Sequence, residues 1–121
     1  MAKTIVVIDD EKEVLAEMEA WLSEYGYRVL TAASAEEGFE KLDKNSANLV
    51  LLDIKMPKKD GLTVLSEMKR NSKMASIPVI MLTAKGETST ILQAMEMKAC
   101  DYVTKPFKDQ ELLDLIRRYE I

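Results

Sequence analysis

Five short apolar runs alternate along this chain with five segments in which apolar residues recur at helical spacing. The runs predict strands over residues 4–8, 27–32, 48–53, 79–83 and 101–104. The segments between and after them predict helices over residues 11–25, 34–45, 61–71, 87–98 and 108–119. Such alternation requires crossover connections, which are right-handed and give a parallel sheet with helices on both faces. We therefore expect an α/β fold, with the continuous apolar runs central and the mixed run 27–32 at an edge.

Local patterns predict where the second and third helices begin and which face of the last helix is buried. Ser34 followed by Glu37 forms a capping box for the second helix. Asp60-Gly61 is read as a turn that leads into the third helix. In the last helix, the predicted buried stripe consists of Leu112, Leu115, Ile116 and Tyr119. Leu113 lies off this stripe and is predicted to be exposed, which is a hint of a partner-binding face.

Composition excludes several classes of function. The 121 residues predict one domain over 1–121, and 47% apolar with 31% charged residues is typical of a soluble globular protein. A net charge of −4 gives no basic surface for nucleic acid, and no apolar run approaches a membrane span. A single cysteine and the lack of a signal peptide favour the cytoplasm. The chain has no histidine, which excludes histidine-based catalysis or phosphohistidine chemistry within it. Because the last predicted helix nearly reaches the end, we expect no attached second domain, although excision from a longer protein stays open.

Polar side chains stand where four of the predicted strands end. Asp9 and Asp10 follow the first strand, Asp53 ends the third, Thr83 ends the fourth, and Lys105 follows the fifth. The carboxyl ends of parallel strands share one edge of the sheet, which is where such folds carry their sites. Three acids, a hydroxyl and an ammonium are therefore predicted to converge.

This combination of groups suits phosphoryl transfer. Three close carboxylates repel one another, and a divalent cation with oxygen ligands, Mg²⁺ above all, would offset their charge. Lys105 adds a fixed positive charge and Thr83 a hydroxyl donor for phosphate oxygens. An aspartate can attack phosphorus and form an acyl phosphate, and Asp53, at the end of a buried strand, is the candidate nucleophile.

Four motifs make the chain resemble a known family. In order and spacing, "VIDDE", "LLDIKMPKKDG", "MLTAK" and "YVTKPF" resemble the receiver domain of bacterial two-component response regulators, over essentially the whole chain. The resemblance implies a three-layer, doubly wound (βα)5 flavodoxin-like fold with a parallel five-stranded sheet in the order 2-1-3-4-5. It also leaves open whether the chain is a single-domain regulator or part of a longer one.

The resemblance implies a role for each site residue. Asp53 would accept a phosphoryl group from a phosphohistidine on a sensor histidine kinase or a histidine phosphotransfer protein of a phosphorelay. Asp10, Asp53 and the backbone carbonyl of Lys55 would bind Mg²⁺, for which Mn²⁺ is a substitute, and Asp9 would act through a coordinated water. Lys105 would contact the phosphoryl group. The chain would be an autocatalytic phosphoacceptor with slow self-dephosphorylation and not a turnover enzyme.

The resemblance also implies a switch and its partners. Thr83 would move to the phosphoryl group and Tyr102 would change rotamer behind it, which alters the surface that a downstream protein target recognises. The Lys105–Pro106 bond would be cis, and Pro57 and Gly61 would be structural. A homodimer through the last two helices and the fifth strand is a further expectation, whereas nucleic acid and membrane are not expected as partners.

Three other interpretations stay open. A flavin-binding module shares the fold but needs a phosphate loop after the first strand, where this chain has Asp9-Asp10-Glu11. A Mg²⁺-dependent phosphatase with an aspartyl nucleophile needs a second acid two residues later, where this chain has Lys55. A degenerate receiver would signal by binding alone.

Taken singly, an acid after the first strand could be a helix cap. Lys55 and Lys85 are predicted to make the mouth of the site basic and to influence loss of the phosphoryl group, in a direction that the sequence does not give.

Overall fold

Five strands and five helices alternate in the computed structural model, which describes residues 2–119. The strands are β1 (Thr4–Ile8), β2 (Arg28–Ala32), β3 (Leu49–Asp53), β4 (Val79–Ala84) and β5 (Asp101–Lys105). The helices are α1 (Lys12–Glu24), α2 (Ala35–Lys44), α3 (Gly61–Lys69), α4 (Thr88–Glu96) and α5 (Asp109–Arg118). All ten predicted elements are confirmed, and their observed ends lie within two residues of the predicted ones.

The five strands form one parallel sheet in the order β2-β1-β3-β4-β5. This order confirms the predicted doubly wound, flavodoxin-like fold. Every residue of β1 and β3 is buried, as expected of central strands that are covered on both faces. Among the helices of the described chain, none has the length and apolar character that crossing a membrane requires.

Helices cover both faces of the sheet and give three layers. On one face, α1 and α5 pack over the strands through Leu15, Met18, Leu22, Leu112 and Ile116. On the other face, α2, α3 and α4 pack through Ala35, Leu42, Val64, Leu65, Met68 and Ala94. Because successive strand residues point to opposite faces, each central strand contributes to both cores.

The prediction for the apolar face of α5 was wrong. Leu113 is buried, with 1% of its surface exposed, whereas Leu115 is only partly buried. The buried face is centred on Ile116 between Leu112 and Leu113, which lie about 100° apart around a helix. The helix is therefore turned relative to the predicted stripe, because its packing against the sheet decides the rotation. Leu113 gives no exposed partner-binding face.

Side-chain caps fix the starts of α2 and α3. Ser34 Oγ accepts a hydrogen bond from the backbone N–H of Glu37 at 3.2 Å, and the Glu37 carboxylate accepts one from the N–H of residue 33 at 3.2 Å. This confirms the capping box, with the reciprocal bond one residue further out. Asp60 Oδ1 accepts the N–H of Thr63 at 2.9 Å, so Asp60-Gly61 is the predicted helix entry.

Gly61 lies where a larger residue cannot fit. Its N–H donates to the carbonyl of Ile54 at 2.7 Å, and a Cβ at this position would collide with the backbone carbonyl of Asp53. The start of α3 is thus held directly against the end of β3. Pro57 lies in the exposed loop between them, and the Lys105–Pro106 peptide bond after β5 is cis, as the resemblance implied.

Candidate functional site

The sheet order places the predicted site residues side by side. Strands β1, β3, β4 and β5 are neighbours, and all run in the same direction. Asp53 at the end of β3 pairs in register with the residue before Thr83 on β4, and Lys105 at the end of β5 pairs with the residue after Thr83. The convergence that the sequence predicted therefore occurs at one edge of the sheet.

Three carboxylates form a cluster at this edge. One oxygen from each of Asp9, Asp10 and Asp53 lies within 4.8 Å of the others. Asp9 is fully buried and Asp53 is 6% exposed, whereas Asp10 faces solvent. Asp9 Oδ1 accepts the N–H of Glu11 at 3.0 Å, which makes a local turn and not the helix cap considered for an acid at this place, because the N-cap residue of α1 is Glu11 and has no side-chain cap bond.

Lys105 supplies the positive charge beside the cluster. Its Nζ lies 2.7 Å from Asp9 Oδ2, 3.6 Å from Asp53 Oδ1 and 3.8 Å from Glu11 Oε1. Partial burial alone would lower the pKa of Lys105, but the hydrogen bond to Asp9 and the nearby carboxylates outweigh it and raise that pKa. The ammonium therefore stays charged. It lies closer to Asp9 than to Asp53.

Asp53 is the carboxylate whose ionisation is least compensated. Burial first, and the charge of Asp9 next, raise its pKa from 3.8 to about 7, with Asp10 adding to the increase. Lys105 and a hydrogen bond from the backbone N–H of Lys55 act in the opposite direction without cancelling it. In the metal-free protein this carboxyl group is therefore partly protonated near neutral pH.

A cavity of about 210 Å³ opens directly above Asp53. Its polar lining residues are Glu11, Asp53, Lys55, Thr83, Glu87 and Lys105. The Thr83 hydroxyl is buried and donates to the carbonyl of Ala84 over 3.3 Å, a long and therefore weak hydrogen bond. A phosphoryl group on Asp53 would have this hydroxyl and the Lys105 ammonium within the same cavity.

An ion pair spans one side of this cavity. The Lys55 ammonium, on the loop after β3, contacts the Glu87 carboxylate just before α4. Hydrogen bonding from Lys55 lowers the pKa of Glu87, with a further contribution from Thr90, whose hydroxyl donates to Glu87 Oε2 at 3.3 Å. The mouth is therefore less basic than predicted, because Glu87 neutralises Lys55. Lys85 is exposed and does not line the cavity.

One predicted site residue, Tyr102, lies apart from the acidic cavity. Tyr102 is 41% exposed and lines a surface hollow along β5 and α5, together with Asp101 and Arg118. Its place as a switch residue stays a prediction, as do the roles assigned to Pro57 and to the carbonyl of Lys55.

Glu11 and Glu87 line the cavity but were not predicted as site residues. Glu11 had a signal, because it continues the acidic run after β1. Glu87 looked like an ordinary acid near the start of a helix, which usually complements the helix dipole. Its partner, Lys55, lies 32 positions earlier in the chain, so no local pattern joins the two.

Solved structures and curated proteins resemble this chain closely. A response regulator receiver domain protein from Clostridium thermocellum is 35% identical, with a TM-score of 0.90, and 97% of this chain matches 93% of that one. The receiver domain of NtrX from Brucella abortus is 31% identical, with a TM-score of 0.89, over 95% and 96% of the two chains. The chemotaxis protein CheY4 from Vibrio cholerae, at 24% identity and a TM-score of 0.93, supports the fold alone.

The curated relatives are regulators that are longer than this chain. The probable transcriptional regulator ycf27 of Cyanophora paradoxa is 44% identical over 115 residues, which are 95% of this chain and 47% of that protein. The alkaline phosphatase synthesis transcriptional regulatory protein PhoP of Bacillus subtilis is 36% identical over 125 aligned residues, 100% of this chain and 51% of that one. The chain thus spans about half the length of these relatives. Because their names describe transcriptional regulators, the expectation that nucleic acid is not a partner gains no support.

The family model covers nearly the whole chain. It is the model of the response regulator receiver domain, and it matches residues 5–117. This assignment decides against the flavin-binding and phosphatase alternatives, and the relatives above are named as regulators and not as turnover enzymes. The chain belongs to the response regulator receiver domain family.

Proposed function

We propose that Asp53 is the phosphoacceptor of a two-component or phosphorelay pathway. The observation that carries this proposal is the buried Asp53 carboxylate, whose pKa is raised to about 7, below a cavity that also holds the Lys105 ammonium and the Thr83 hydroxyl. A carboxylate that the fold stabilises poorly as an anion gains from sharing its charge with a phosphoryl group and the cations around it. No histidine is present in the chain, so the donor is another protein or a small phosphodonor.

The reaction is a direct transfer between two heteroatoms. A carboxylate oxygen of Asp53 attacks the phosphorus of a partner's phosphohistidine, an O–P bond forms, and the N–P bond breaks. Its electron pair stays on the imidazole nitrogen. Lys105 then donates a hydrogen bond to a phosphoryl oxygen and leaves part of its interaction with Asp9. The Thr83 hydroxyl exchanges its long bond to a backbone carbonyl for a phosphoryl oxygen.

The donor set around Asp53 fits a hard divalent cation. Carboxylate oxygens from Asp9, Asp10 and Asp53 approach within 4.8 Å, and Lys105 offers one positive charge against them. We assign Mg²⁺, or Mn²⁺ in its place, to Asp10, Asp53 and the backbone carbonyl of Lys55, with Asp9 acting through a coordinated water. When bound, the cation supplies positive charge that offsets the negative charge of carboxylate and phosphoryl oxygens.

The phosphorylated surface is proposed to signal to a downstream protein. Movement of Thr83 changes the loop between β4 and α4, and a rotamer change of Tyr102 would carry that change to the surface. Exposed apolar side chains lie on this side of the molecule: Leu92 is 61%, Met95 is 37% and Tyr102 is 41% exposed. A homodimer through α4, β5 and α5 would cover them, and sedimentation with and without phosphorylation tests it. A cytoplasmic location is part of this proposal.

Intact-mass spectrometry tests the central step. The wild type, Asp53→Asn and the control Asp43→Asn, an exposed acid of α2, are incubated with acetyl phosphate with and without Mg²⁺. We expect one phosphoryl increment in the wild type and in Asp43→Asn, only with Mg²⁺, and none in Asp53→Asn. If the wild type binds Mg²⁺ and gains no increment, the chain is a receiver that signals by binding alone, and the proposed chemistry is wrong.

A further inference from the structure

The Lys55–Glu87 ion pair joins the two loops that flank the cavity above Asp53. Lys55 lies two residues beyond Asp53, and Glu87 lies four residues beyond Thr83. Both side chains line the cavity. The pair therefore connects the loop that follows the proposed phosphoacceptor to the loop that contains the proposed switch hydroxyl.

The two partners are held differently. The Glu87 side chain is 22% exposed and is also bound by the hydroxyl of Thr90, in the first turn of α4. The Lys55 side chain is 70% exposed, and among the ion pairs of residues 2–119 it takes part only in the one with Glu87. Glu87 is thus the fixed partner and Lys55 the movable one, on a long side chain with several rotatable bonds.

A phosphoryl group on Asp53 would compete with Glu87 for this ammonium. Such a group brings about −1.5 to −2 charges and three acceptor oxygens into the cavity that Lys55 already lines. The alternative ammonium, that of Lys105, is shared among Asp9, Asp53 and Glu11. In the unmodified protein, the Lys55 ammonium therefore lies in the cavity lining and is bound to Glu87, which a more strongly charged anion can replace.

We propose that Glu87 is a positioning residue that holds the Lys55 ammonium at the rim of the cavity, and that a phosphoryl group on Asp53 draws Lys55 away from it. The exchange rests on the proposed function, because it requires Asp53 to be modified. In the unmodified protein, Glu87 keeps Lys55 from Asp53. In the modified protein, Lys55 becomes a second ammonium on the phosphoryl oxygens, and the start of α4 loses its tie to the loop after β3.

Coupling of this kind has a measurable consequence. If binding of a phosphoryl mimic must break the Lys55–Glu87 ion pair, the ion pair lowers the affinity for the mimic by some factor. A variant that lacks the ion pair should then bind the mimic more tightly by that same factor. Because an ion pair at this exposure is weak, we expect a factor of about two to five. Glu87→Gln keeps the size of the side chain and removes its charge, so it should tighten binding of the mimic. Lys55→Met should weaken it.

The test is a double-mutant cycle read by calorimetric titration of beryllofluoride, a mimic of the phosphoryl group, in the presence of Mg²⁺. We expect Glu87→Gln to tighten binding about two- to fivefold in the wild-type background and to have no effect in the Lys55→Met background. With Lys55→Arg, which keeps an ion-pairing cation, Glu87→Gln should again tighten binding. These results would show that Glu87 acts through the cation at position 55.

Glu67→Gln is the matched control. Glu67 pairs with Lys59, another lysine of the loop after β3, at 2.8 Å, and neither lines the cavity. Like Glu87→Gln, this variant removes one negative charge that pairs with a lysine of the loop after β3, and it should bind the mimic like the wild type. If Glu87→Gln tightens binding equally without Lys55, Glu87 is only a nearby charge, and if it binds like the wild type, no exchange occurs. Either result overturns the inference while phosphorylation of Asp53 still stands. A wild type that binds no mimic and gains no phosphoryl increment would overturn the proposed function itself.

Discussion

Replacing Asp53 by asparagine in the metal-free protein removes a charge that the fold accommodates poorly. The carboxyl group is 6% exposed and lies beside two other acids, and its pKa rises from 3.8 to about 7. Each unit of a pKa shift corresponds to about 1.4 kcal/mol of stability. Above pH 7, where the group is ionised in both states, folding therefore bears a cost of about 4 kcal/mol.

Asparagine recovers only part of this cost. Its amide must also be desolvated, which offsets about 1–2 kcal/mol, whereas the attraction of the Lys105 ammonium is already contained in the raised pKa of Asp53. We therefore expect Asp53→Asn to raise the free energy of unfolding by about 2–3 kcal/mol at pH 8 in EDTA. Urea unfolding followed by circular dichroism measures this difference, with Asp43→Asn as the control for loss of an exposed acid.

The pH dependence of this gain has a definite sign. A raised pKa means that the folded state binds the proton more tightly than the unfolded state, so the contribution of Asp53 to wild-type stability falls as pH rises from about 4 to about 7. The advantage of Asp53→Asn should be small near pH 4, grow through this range and level off above pH 7. Saturating Mg²⁺ should narrow it, because the cation stabilises the wild type more. A variant no more stable than the wild type at pH 8, or an advantage independent of pH, would refute the reasoning.

Four further substitutions test individual features of the fold, each by urea unfolding. Gly61→Ala should cost about 1–3 kcal/mol because its Cβ meets the backbone of β3, whereas Gly38→Ala, whose Cβ meets side-chain atoms of Ile8 and no backbone, should cost less. Asp60→Ala should cost about 1 kcal/mol through loss of the α3 cap. Tyr119→Phe loses a 2.7 Å hydrogen bond to the Cys100 carbonyl and should cost about 1 kcal/mol. Burial, first, and the nearby Asp101 carboxylate raise the pKa of Tyr119 from 10.0 to about 12. Wild-type stability should therefore fall as pH rises over that interval, and Tyr119→Phe should lack this loss.

The parts of the fold that the sequence predicted are those set by local patterns. Each strand is a short apolar run, each helix has its own periodicity, and caps such as Ser34 and Asp60 act within four residues. The rotation of α5 was not predictable in this way. Leu113 and Leu115 are equally apolar, and which of them is buried depends on how the whole helix packs against the sheet.

In the candidate site, too, some features follow from local sequence patterns and others depend on the whole fold. Its backbone positions follow from strand ends, so Asp9, Asp53 and Lys105 were predictable as neighbours. The pairing of individual charges was not, because it depends on side-chain reach across the fold. The contact between Lys55 and Glu87 joins two loops that no sequence pattern relates.

The distribution of charge around Asp9 and Asp53 differs, although both acids are buried at one site. Both oxygens of Asp9 are engaged: Oδ1 accepts a backbone N–H at 3.0 Å, and Oδ2 accepts the Lys105 ammonium at 2.7 Å. Asp53 is 3.6 Å from the same ammonium and faces the charge of Asp9, which raises its pKa. Asp9 thus holds Lys105 in place. The poorly compensated acid has the more to gain from an incoming cation and from an electrophilic phosphorus, and this difference favours Asp53 over Asp9 as the nucleophile.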